Sequence, residues 1–326
     1  MAVEVDEVPL FLAPMAGVTD LAFRLLAKEC GADFTITEFT AAAALTRLDA
    51  KSWHKVESDP RERPFIPQIF GGNVDDMVRS TELLQETADI IDLNFGCPAP
   101  KVTRHCAGAA LMGKPDDLVN MVSKCVEASS VPVTVKMRQG TGTGPDTVIE
   151  VSKRLEDVGA TRLCVHGRTL RQRYSGTADW ETIRKVVDAV EVPVIANGDI
   201  IDASSARACL EATGADGLMI GRAAIGRPEV FARIKQDLGW YDGELPWSDT
   251  CVSSRSWAWN RYIHLDDEVN PGNPSRNRVK HAFSFTKGLP GGKAFRSDLH
   301  SDRSPARMAR LVGEFLEQVD SQVPLA

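Results

Sequence analysis

The sequence lacks the features of a membrane-spanning or secreted protein. No stretch approaches the roughly 18 uninterrupted apolar residues that a membrane-spanning helix needs, and the N-terminal MAVEVDEVPLF carries acids where a secretory signal has a basic region. The seven cysteines include no CxxC pair, which favours a reducing compartment over a disulfide framework. No His, Cys, Asp or Glu set has metal-ligand spacing. We therefore expect a cytoplasmic protein without a metal site, and the sequence implies neither a membrane nor a protein partner.

Composition and length restrict the class further. The chain has 326 residues, of which 43% are hydrophobic and 25% are charged. These fractions are average for globular proteins and exclude disordered, collagen-like and small disulfide-rich chains. The length fits two domains, or one large α/β barrel with an appendage.

Charge is unevenly distributed. The whole chain has a net charge of −7, whereas residues 270–310 contain nine Lys and Arg against two Asp. Nucleic-acid binding needs clustered cations rather than a basic average, so this segment is compatible with it. A solvated basic face is the simpler alternative for such a segment taken alone.

The first 238 residues repeat one pattern, a short apolar run followed by helical apolar spacing. The eight runs are 9–15, 33–39, 65–70, 90–95, 132–137, 162–166, 193–197 and 217–220. Helix starts are indicated at Asp20, Pro115 and Asp202, and helix ends at Gly31, Gly159 and Gly214. Each unit has roughly 30 residues, the length of a βα repeat. Eight units favour a closed (β/α)8 TIM barrel over an open doubly wound sheet, and no GxGxxG follows the first run.

The chain changes character after residue 238. Residues 239–250 are rich in Gly, Pro and Trp and are predicted to be a linker. Helical stretches separated by Pro and Gly breaks follow, and the last one begins at Ser304 with Pro305 in its first turn. We expect a catalytic barrel over 1–238 and a small all-helical domain over 251–326.

Polar residues and glycines cluster where the predicted strands end, the edge at which a βα barrel builds its active site. They are Pro14-Met15-Ala16-Gly17, Gln68, Gly96-Cys97-Pro98, Lys136 and Arg138, His166, Asn197-Gly198-Asp199 and Gly221-Arg222. Lys136 is the most informative, because a lysine is rarely buried without a partner or a function. Taken singly, Gln68 could close a strand end, His166 could be a bonded core histidine, and Cys97 could be a small buried hydrophobe.

The last two strand ends are typical of a phosphate site. Glycines there let the backbone approach an anion, and Arg222 adds a charged donor. Lys136 and His166, from neighbouring strands, could stabilise negative charge in the body of the same ligand. A reduced flavin fits this description, but the spacing leaves a sugar phosphate equally open.

A series of motifs makes a resemblance specific. They are APMAGVTDLAFR (13–24), QIFGG (68–72), DLNFGCPAPKV (92–102), GAALM (108–112), VKMR (135–138), HGRTLRQRYSGTADW (166–180), ANGDI (196–200), GLMIGRAAIGRP (217–228) and KGLPGGKAFR (287–296). With these motifs, in order over nearly the whole chain, the sequence resembles the tRNA-dihydrouridine synthases, flavin enzymes that reduce selected uridines in tRNA.

The resemblance implies an FMN-containing barrel, a helical tRNA-binding domain and NADPH as the reductant. Cys97 matches the catalytic cysteine of the family. By the same resemblance, Pro14, Met15 and Ala16 would line the flavin, Gln68 and Lys136 would bond its polar edge, His166 would be a second cationic or hydrogen-bonding group, and Asn197, Gly198, Asp199, Gly221 and Arg222 would hold the flavin and its phosphate.

The reaction requires a hydride at uracil C6 and a proton at C5. Cys97 would be the general acid, since a thiol with a pKa near 8.5 is mostly protonated at neutral pH. The target base must leave its stack to enter a barrel pocket. Phosphates would be held by Arg168, Arg171 and Arg173 on the loop after the sixth strand and by Lys280, Lys287, Lys293 and Arg296 in the basic segment.

Cys106 departs from the family pattern, because a glycine usually stands at that position of the catalytic loop. Two other functions also have to be compared with this one. The first is an FMN-dependent reductase of a small pyrimidine such as dihydroorotate, in which the basic segment would have no purpose. The second is an RNA-binding protein without catalysis, against which the presence of Cys97, Lys136 and His166 argues.

Overall fold

A computed structural model describes residues 5–103, 107–247, 251–301 and 304–321. One curled sheet of nine parallel strands lies at its centre. The strands are β1 (Leu10–Leu12), β2 (Phe34–Thr35), β3 (Thr40–Ala41), β4 (Gln68–Phe70), β5 (Ile91–Phe95), β6 (Val133–Arg138), β7 (Arg162–His166), β8 (Val194–Asn197) and β9 (Gly217–Ile220). Their order in the sheet is β2-β1-β9-β8-β7-β6-β5-β4-β3.

The segment 34–41 closes the sheet into a ring. Its first part, β2, pairs with β1, and its last part, β3, pairs with β4. Between them the backbone N–H of Thr37 donates to the carbonyl oxygen of Ile66 at 3.1 Å. The run predicted as one strand, 33–39, therefore contains β2 alone, and β3 follows it, because the two ends of the segment pair with different neighbours. The prediction of a TIM-barrel-like α/β fold is confirmed.

Helices follow the strands on the outside of the ring. They are α1 (Leu21–Glu29), α2 (Ala42–Thr46), α3 (Ala50–His54), α4 (Val74–Leu84), α5 (Pro100–Thr103), α6 (Pro115–Ala128), α7 (Val148–Asp157), α8 (Trp180–Val187), α9 (Ala203–Thr213) and α10 (Val230–Asp237). The predicted helix signals are confirmed where they were placed. Asp20 accepts from the N–H of Phe23, Asp202 accepts from that of Ser205, and Gly214 ends α9 with φ +60°.

The barrel interior is filled with side chains. Alternate strand residues point to opposite faces of a sheet, so Leu10 and Leu12 pack outward with the helices while Phe11 points inward. Phe11 belongs to a buried cluster with Ala13, Ile36, Ile66, Cys164, Ile195 and Met219. A filled interior leaves the ends of the strands as the place for a site.

The C-terminal part is helical, as predicted. It contains α11 (Cys251–Val269), α12 (Asn277–Phe285), α13 (Gly292–Asp298) and α14 (Pro305–Ser321). Lys280 and His281 of α12 meet the loop after β1, where Lys280 Nζ donates to the carbonyl oxygen of Ala16 at 2.8 Å and His281 Nε2 lies 3.1 Å from that of Val18. These helices therefore border the end of the barrel at which the strands terminate. Within the described ranges, no helix combines the length and apolar character that crossing a bilayer requires.

Candidate active site

One cavity of about 850 Å³ opens at the carboxyl ends of the strands. A volume of this size accommodates a ligand as large as a cofactor. Its wall contains eleven of the predicted site residues: Pro14, Met15, Ala16, Cys97, Lys136, His166, Asn197, Gly198, Asp199, Gly221 and Arg222. These residues come from six different strand ends, so the fold brings together what the sequence distributes over more than 200 positions.

Lys136 forms the polar base of the wall. Its Nζ is buried on β6 and donates to Oδ1 of Asn197 at 2.9 Å. The Asn197 amide in turn donates to the carbonyl oxygen of Met219 at 2.7 Å, which fixes the acceptor for the lysine. Burial lowers the pKa of Lys136 from its usual value. An ammonium carries three N–H donors, so a ligand in the cavity can be bonded by the hydrogens that Asn197 does not use.

His166 ends β7 beside three cationic side chains. Burial first, and then the charges of Lys136 and Arg138, lower its pKa to about 2. The imidazole is therefore neutral at physiological pH. Its Nε2 lies 3.4 Å from Nη1 of Arg168, which can only donate, so Nε2 accepts and the proton resides on Nδ1. Of the two roles that the resemblance implied for His166, this geometry fits the hydrogen-bonding one and not the cationic one.

Arg168 and Asp199 form an ion pair inside the site. Arg168 is 1% exposed, and its Nη2 donates to both carboxylate oxygens of Asp199 at 2.7 and 2.8 Å. Burial acts to raise the pKa of Asp199, but the bonds from Arg168 and the Ala178 N–H leave it below its usual value. Arg168 was expected to contact tRNA phosphates. Its burial and its bond to Asp199 correct that expectation, because the guanidinium is enclosed by the protein.

Gly198 and Gly221, after β8 and β9, line the part of the cavity where a phosphate is expected. The structure requires glycine at the two positions for different reasons. Gly198 has φ +124°, and a Cβ there would lie 2.7 Å from the Cβ of Ala178, so no side chain fits. Gly221 has a negative φ, −111°, and a Cβ there would meet the Cβ of Ala13 at 3.5 Å, an ordinary contact distance. Glycine at 221 therefore leaves room in the cavity itself, as a close-binding ligand needs.

Arg222 lies at the mouth. Its side chain is about half exposed, its guanidinium carbon lies 5.1 Å from the ring centroid of Tyr174, and its Nη2 lies 3.3 Å from Asp199. Tyr174, which the sequence analysis did not single out, is 54% exposed and lines the cavity. An exposed arginine next to an aromatic ring can contact an anion without the full desolvation cost of a buried guanidinium.

The Cys97 loop is fixed from two sides. Oδ1 of Asn94 accepts from the backbone N–H groups of Gly96 and Cys97 at 3.0 and 2.9 Å. Gly108 has φ +59°, and a Cβ there would lie 3.0 Å from the Cys97 carbonyl oxygen. Cys97 itself is 7% exposed on the cavity wall. Cys106, the departure from the family pattern, lies outside the described residues.

Arg138, which the sequence places in the strand-end cluster without a role, supports the Cys97 loop. It is 1% exposed, and its Nε donates to the Gly96 carbonyl oxygen at 2.8 Å. Its Nη1 donates to the carbonyl oxygens of Thr169 and Arg173 at 3.0 and 2.8 Å. Burial lowers its pKa to about 10, which leaves it charged. Its spacing from Lys136 indicates this position, since residues 136 and 138 point to the same face of a strand.

Gln68 is held by two neighbouring side chains. It is fully buried, its Nε2 donates to Oδ2 of Asp92 at 2.6 Å, and its Oε1 accepts from Nδ2 of Asn94 at 2.7 Å. These bonds use one N–H and one lone pair of the amide and leave a second of each. A contact from Gln68 to the polar edge of a flavin stays a prediction.

The remaining basic candidates lie mainly at the surface. Arg171, Arg173, Lys280, Lys287 and Lys293 are exposed. Arg296 is half-buried, and its Nη1 donates to the Thr286 carbonyl oxygen at 2.6 Å. Arg173 and Lys280 also line the cavity, so exposed cations reach from the mouth of the barrel onto the C-terminal helices.

Comparison with known proteins identifies the family. The chain matches the dihydrouridine synthase family (Dus) over residues 11–320, and it belongs to that family. It is 36% identical to the tRNA-dihydrouridine synthase B of Pectobacterium carotovorum over 312 residues, which are 95% of this chain and 96% of that one. It is 42% identical to the tRNA-dihydrouridine synthase B of Yersinia pestis over 314 residues, 95% of this chain and 96% of that one. Among solved structures, a mutant of FabK from Thermotoga maritima matches 69% of this chain and 64% of its own, with 17% identity and a TM-score of 0.43.

Proposed function

We propose that this chain is a flavin-dependent tRNA-dihydrouridine synthase, which uses FMN and NADPH to reduce the C5–C6 bond of selected uridines in tRNA. One observation carries the proposal: Cys97, the Lys136–Asn197 pair and Arg222 line a single cavity in a member of the dihydrouridine synthase family.

The cavity fits a flavin mononucleotide in its chemistry. Met15 and its neighbours on the loop after β1 offer apolar contact, and the buried Lys136 ammonium offers a donor for the polar edge of the ring. Gly198, Gly221 and Arg222, at the ends of β8 and β9, would hold the phosphate. Bound and reduced, FMN supplies the hydride for uracil C6.

Cys97 would supply the proton for C5. A thiol of ordinary pKa, near 8.5, holds its proton at neutral pH and can release it to a developing carbanion. Asn94 and Arg138 hold the backbone on either side of Gly96, so the thiol is presented by a rigid loop. Rigid presentation matters because misplacing a catalytic group by about 1 Å can cost about 100-fold in rate.

Arg171, Arg173, Lys280, Lys287, Lys293 and Arg296 would bind tRNA phosphates and bring the target uridine over the mouth. The uridine must unstack to reach Cys97, at a cost of a few kcal/mol that is smallest for loop bases. Phosphate contacts by exposed Lys and Arg give the binding energy for this but carry no sequence information.

Flavin reoxidation tests the proposal against the small-pyrimidine alternative. The FMN-loaded protein is first reduced with NADPH in the absence of oxygen. It is then mixed either with unmodified tRNA transcripts or with orotate, the small pyrimidine whose reduction gives dihydroorotate. We expect the flavin absorbance to return with tRNA and to stay bleached with orotate. Return with orotate alone would reject the proposal.

A further inference from the structure

A line of buried polar side chains connects the barrel interior with the Cys97 loop. Asp92, on β5, accepts from Nε2 of Gln68 through its Oδ2 at 2.6 Å. Oε1 of Gln68 accepts from Nδ2 of Asn94 at 2.7 Å, and Oδ1 of Asn94 accepts from the Cys97 backbone N–H at 2.9 Å. The three side chains are 2%, 0% and 4% exposed. Three consecutive hydrogen bonds therefore run from a carboxylate to the backbone of the proposed catalytic residue.

The strand geometry brings these side chains together. Gln68 is directly opposite Asp92 in the pairing of β4 with β5. Asp92 and Asn94 are two residues apart on β5, so they point to the same face of the sheet. Leu93, between them, packs in the outer core with the helices. The face they share is therefore the inside of the barrel.

The two ends of the line fix the orientation of both amides. An ionised carboxylate only accepts hydrogen bonds, and a backbone N–H only donates them. Gln68 must therefore turn its nitrogen to Asp92 and its oxygen to Asn94, and Asn94 must turn its oxygen to the Cys97 loop. An amide in water could rotate and exchange its partners, but buried polar groups depend on the protein for theirs.

Asp92 has the surroundings of an acceptor. Oδ1 receives a second hydrogen bond, from Oγ1 of Thr134 at 2.5 Å. Burial raises the pKa of Asp92, while the bonds from Gln68 and Thr134 and the nearby charges of Arg162 and Lys136 act against that rise. Two donors directed at the two carboxylate oxygens match the ionised form.

We propose that Asp92 is a positioning residue for Cys97: through Gln68 and Asn94 it sets the backbone of the catalytic loop and thereby the place of the thiol. The inference rests on the proposed role of Cys97 in the reaction. It gives Gln68 a structural function besides the flavin contact that the resemblance implies. It also gives the buried Asp92 carboxylate a function.

Two substitutions separate hydrogen bonding from charge. In Asp92→Asn the side-chain oxygen still accepts from Gln68, and its NH2 group can donate to the Thr134 hydroxyl, which accepts as well as donates. The line is then kept without the charge. In Asp92→Leu the amide of Gln68 loses its acceptor and the orientation of both amides is released. Gln68→Leu breaks the next link and leaves the carboxylate in place.

The test follows the reactivity of the Cys97 thiol as well as turnover. The rate of Cys97 alkylation by iodoacetamide is measured on the apoprotein between pH 6 and 10 by peptide mass spectrometry, next to kcat and KM for tRNA at saturating FMN. We expect Asp92→Leu and Gln68→Leu to change the alkylation profile and to lower kcat by about 10- to 100-fold with little change in KM. Asp92→Asn should stay within a few-fold of wild type in both. Ser80→Ala, which removes another buried hydrogen bond, from Ser80 Oγ to the Ala42 carbonyl oxygen at 3.0 Å, controls for a general loss of stability.

Three results would overturn the inference. Wild-type alkylation and kcat in a folded Asp92→Leu and Gln68→Leu would show that the line does not position the loop. Equal losses in Asp92→Asn and Asp92→Leu would assign the effect to charge instead. A change of the same size in Ser80→Ala would assign it to stability. Full activity of Cys97→Ala is distinguishable from all three, since it would reject the proposed catalytic role while the alkylation assay on the wild-type thiol still tests the positioning.

Discussion

Arg138 Nε donates to the carbonyl oxygen of Gly96, the residue before Cys97, at 2.8 Å. The same guanidinium holds the carbonyl oxygens of Thr169 and Arg173 on the loop after β7. One buried cation on β6 therefore joins the loops that follow the two neighbouring strands, β5 and β7. The planar five-donor group of arginine can do this, whereas the point charge of a lysine cannot.

Arg138→Lys should consequently impair turnover without removing the positive charge. Lysine cannot reach both loops in the same geometry, so the Cys97 loop loses one of its two supports. We expect kcat to fall by about 10-fold or more. Single-turnover reoxidation of the reduced flavin by tRNA measures the effect. A wild-type rate of reoxidation would show that Arg138 does not position the Cys97 loop for the reaction.

Arg222→Ala should weaken FMN retention. A hydrogen bond to a charged partner contributes about 1.5–3 kcal/mol, which corresponds to about 10- to 100-fold in Kd. Fluorescence titration of the apoprotein with FMN measures this. Arg184→Ala is the matched control, because Arg184 is an exposed arginine paired with Asp188 on the remote helix α8. Equal FMN affinity in the two variants would contradict the placement of the phosphate at Arg222.

His166 should make the folded protein sensitive to acid. Its folded pKa of about 2 lies below the unfolded value near 6.5, so the unfolded chain takes up a proton first as pH falls. The stability it contributes is complete above pH 6.5 and is lost below it, by about 1.4 kcal/mol per pH unit. Urea unfolding of the apoprotein at pH 7.5 and 5.5 should therefore show a smaller drop in His166→Gln than in wild type. Identical drops would mean that His166 titrates normally.

Glu229 is a buried carboxylate whose ionised form is disfavoured. It is fully buried, its Oε1 lies 3.7 Å from Nε of the half-exposed Arg227, beyond hydrogen-bond distance, and burial raises its pKa although this charge acts against the rise. Wild type therefore loses stability as pH rises from the unfolded pKa near 4.3 towards the higher folded one. Glu229→Gln should stabilise by about 1–3 kcal/mol at pH 7.5 and by less as the pH falls.

Urea unfolding at pH 7.5 and 5.0 tests this. Glu314→Gln serves as the control, since Glu314 is exposed and its ion pair with Arg310 should contribute less than about 1 kcal/mol. Destabilisation by Glu229→Gln at pH 7.5 would show that the carboxylate is favoured where it lies.

Lys280 and Lys287 should separate RNA binding from cavity shape. Both are exposed cations of the basic segment, but only Lys280 lines the cavity and bonds the Ala16 carbonyl oxygen. Each alanine variant should weaken tRNA binding and reduce the slope of log K against log salt by about 1. FMN affinity should fall in Lys280→Ala alone. A loss of FMN affinity in both variants would point to a general defect.

The elements with local signals were predictable from the sequence. The Asp20 and Asp202 caps, the Gly214 helix end and Pro305 at the start of α14 lie where the residues indicated them, because each acts within one turn of its own chain. The strand-end cluster was predictable for a related reason. A parallel barrel gathers the carboxyl ends of all its strands at one rim.

The contacts made across long sequence distances were not predictable. The sequence predicts Arg168 to be a surface cation, because it lies in a basic stretch. In the folded chain Asp199, which follows the next strand, pairs with Arg168 and makes its burial favourable. The hydrogen bonds from Gln68 to Asp92 and Asn94 have no signal in the sequence, because the three side chains meet only when β4 and β5 pair. The run 33–39 contains β2 but not β3, which begins at Thr40, because the two strands pair with different neighbours. Each of these outcomes is decided by a partner that only the folded chain supplies.

Nucleoside mass analysis tests most directly whether the protein reduces uridine in tRNA with Cys97 as the proton donor. A pool of unmodified tRNA transcripts is incubated with the protein, FMN and NADPH, then digested and analysed, with Cys97→Ala in parallel. We expect uridines that gain two hydrogens at defined positions with wild type, and none with Cys97→Ala, although this variant retains its flavin. Unchanged uridines with flavin-loaded wild type, or equal product from Cys97→Ala, would contradict this expectation.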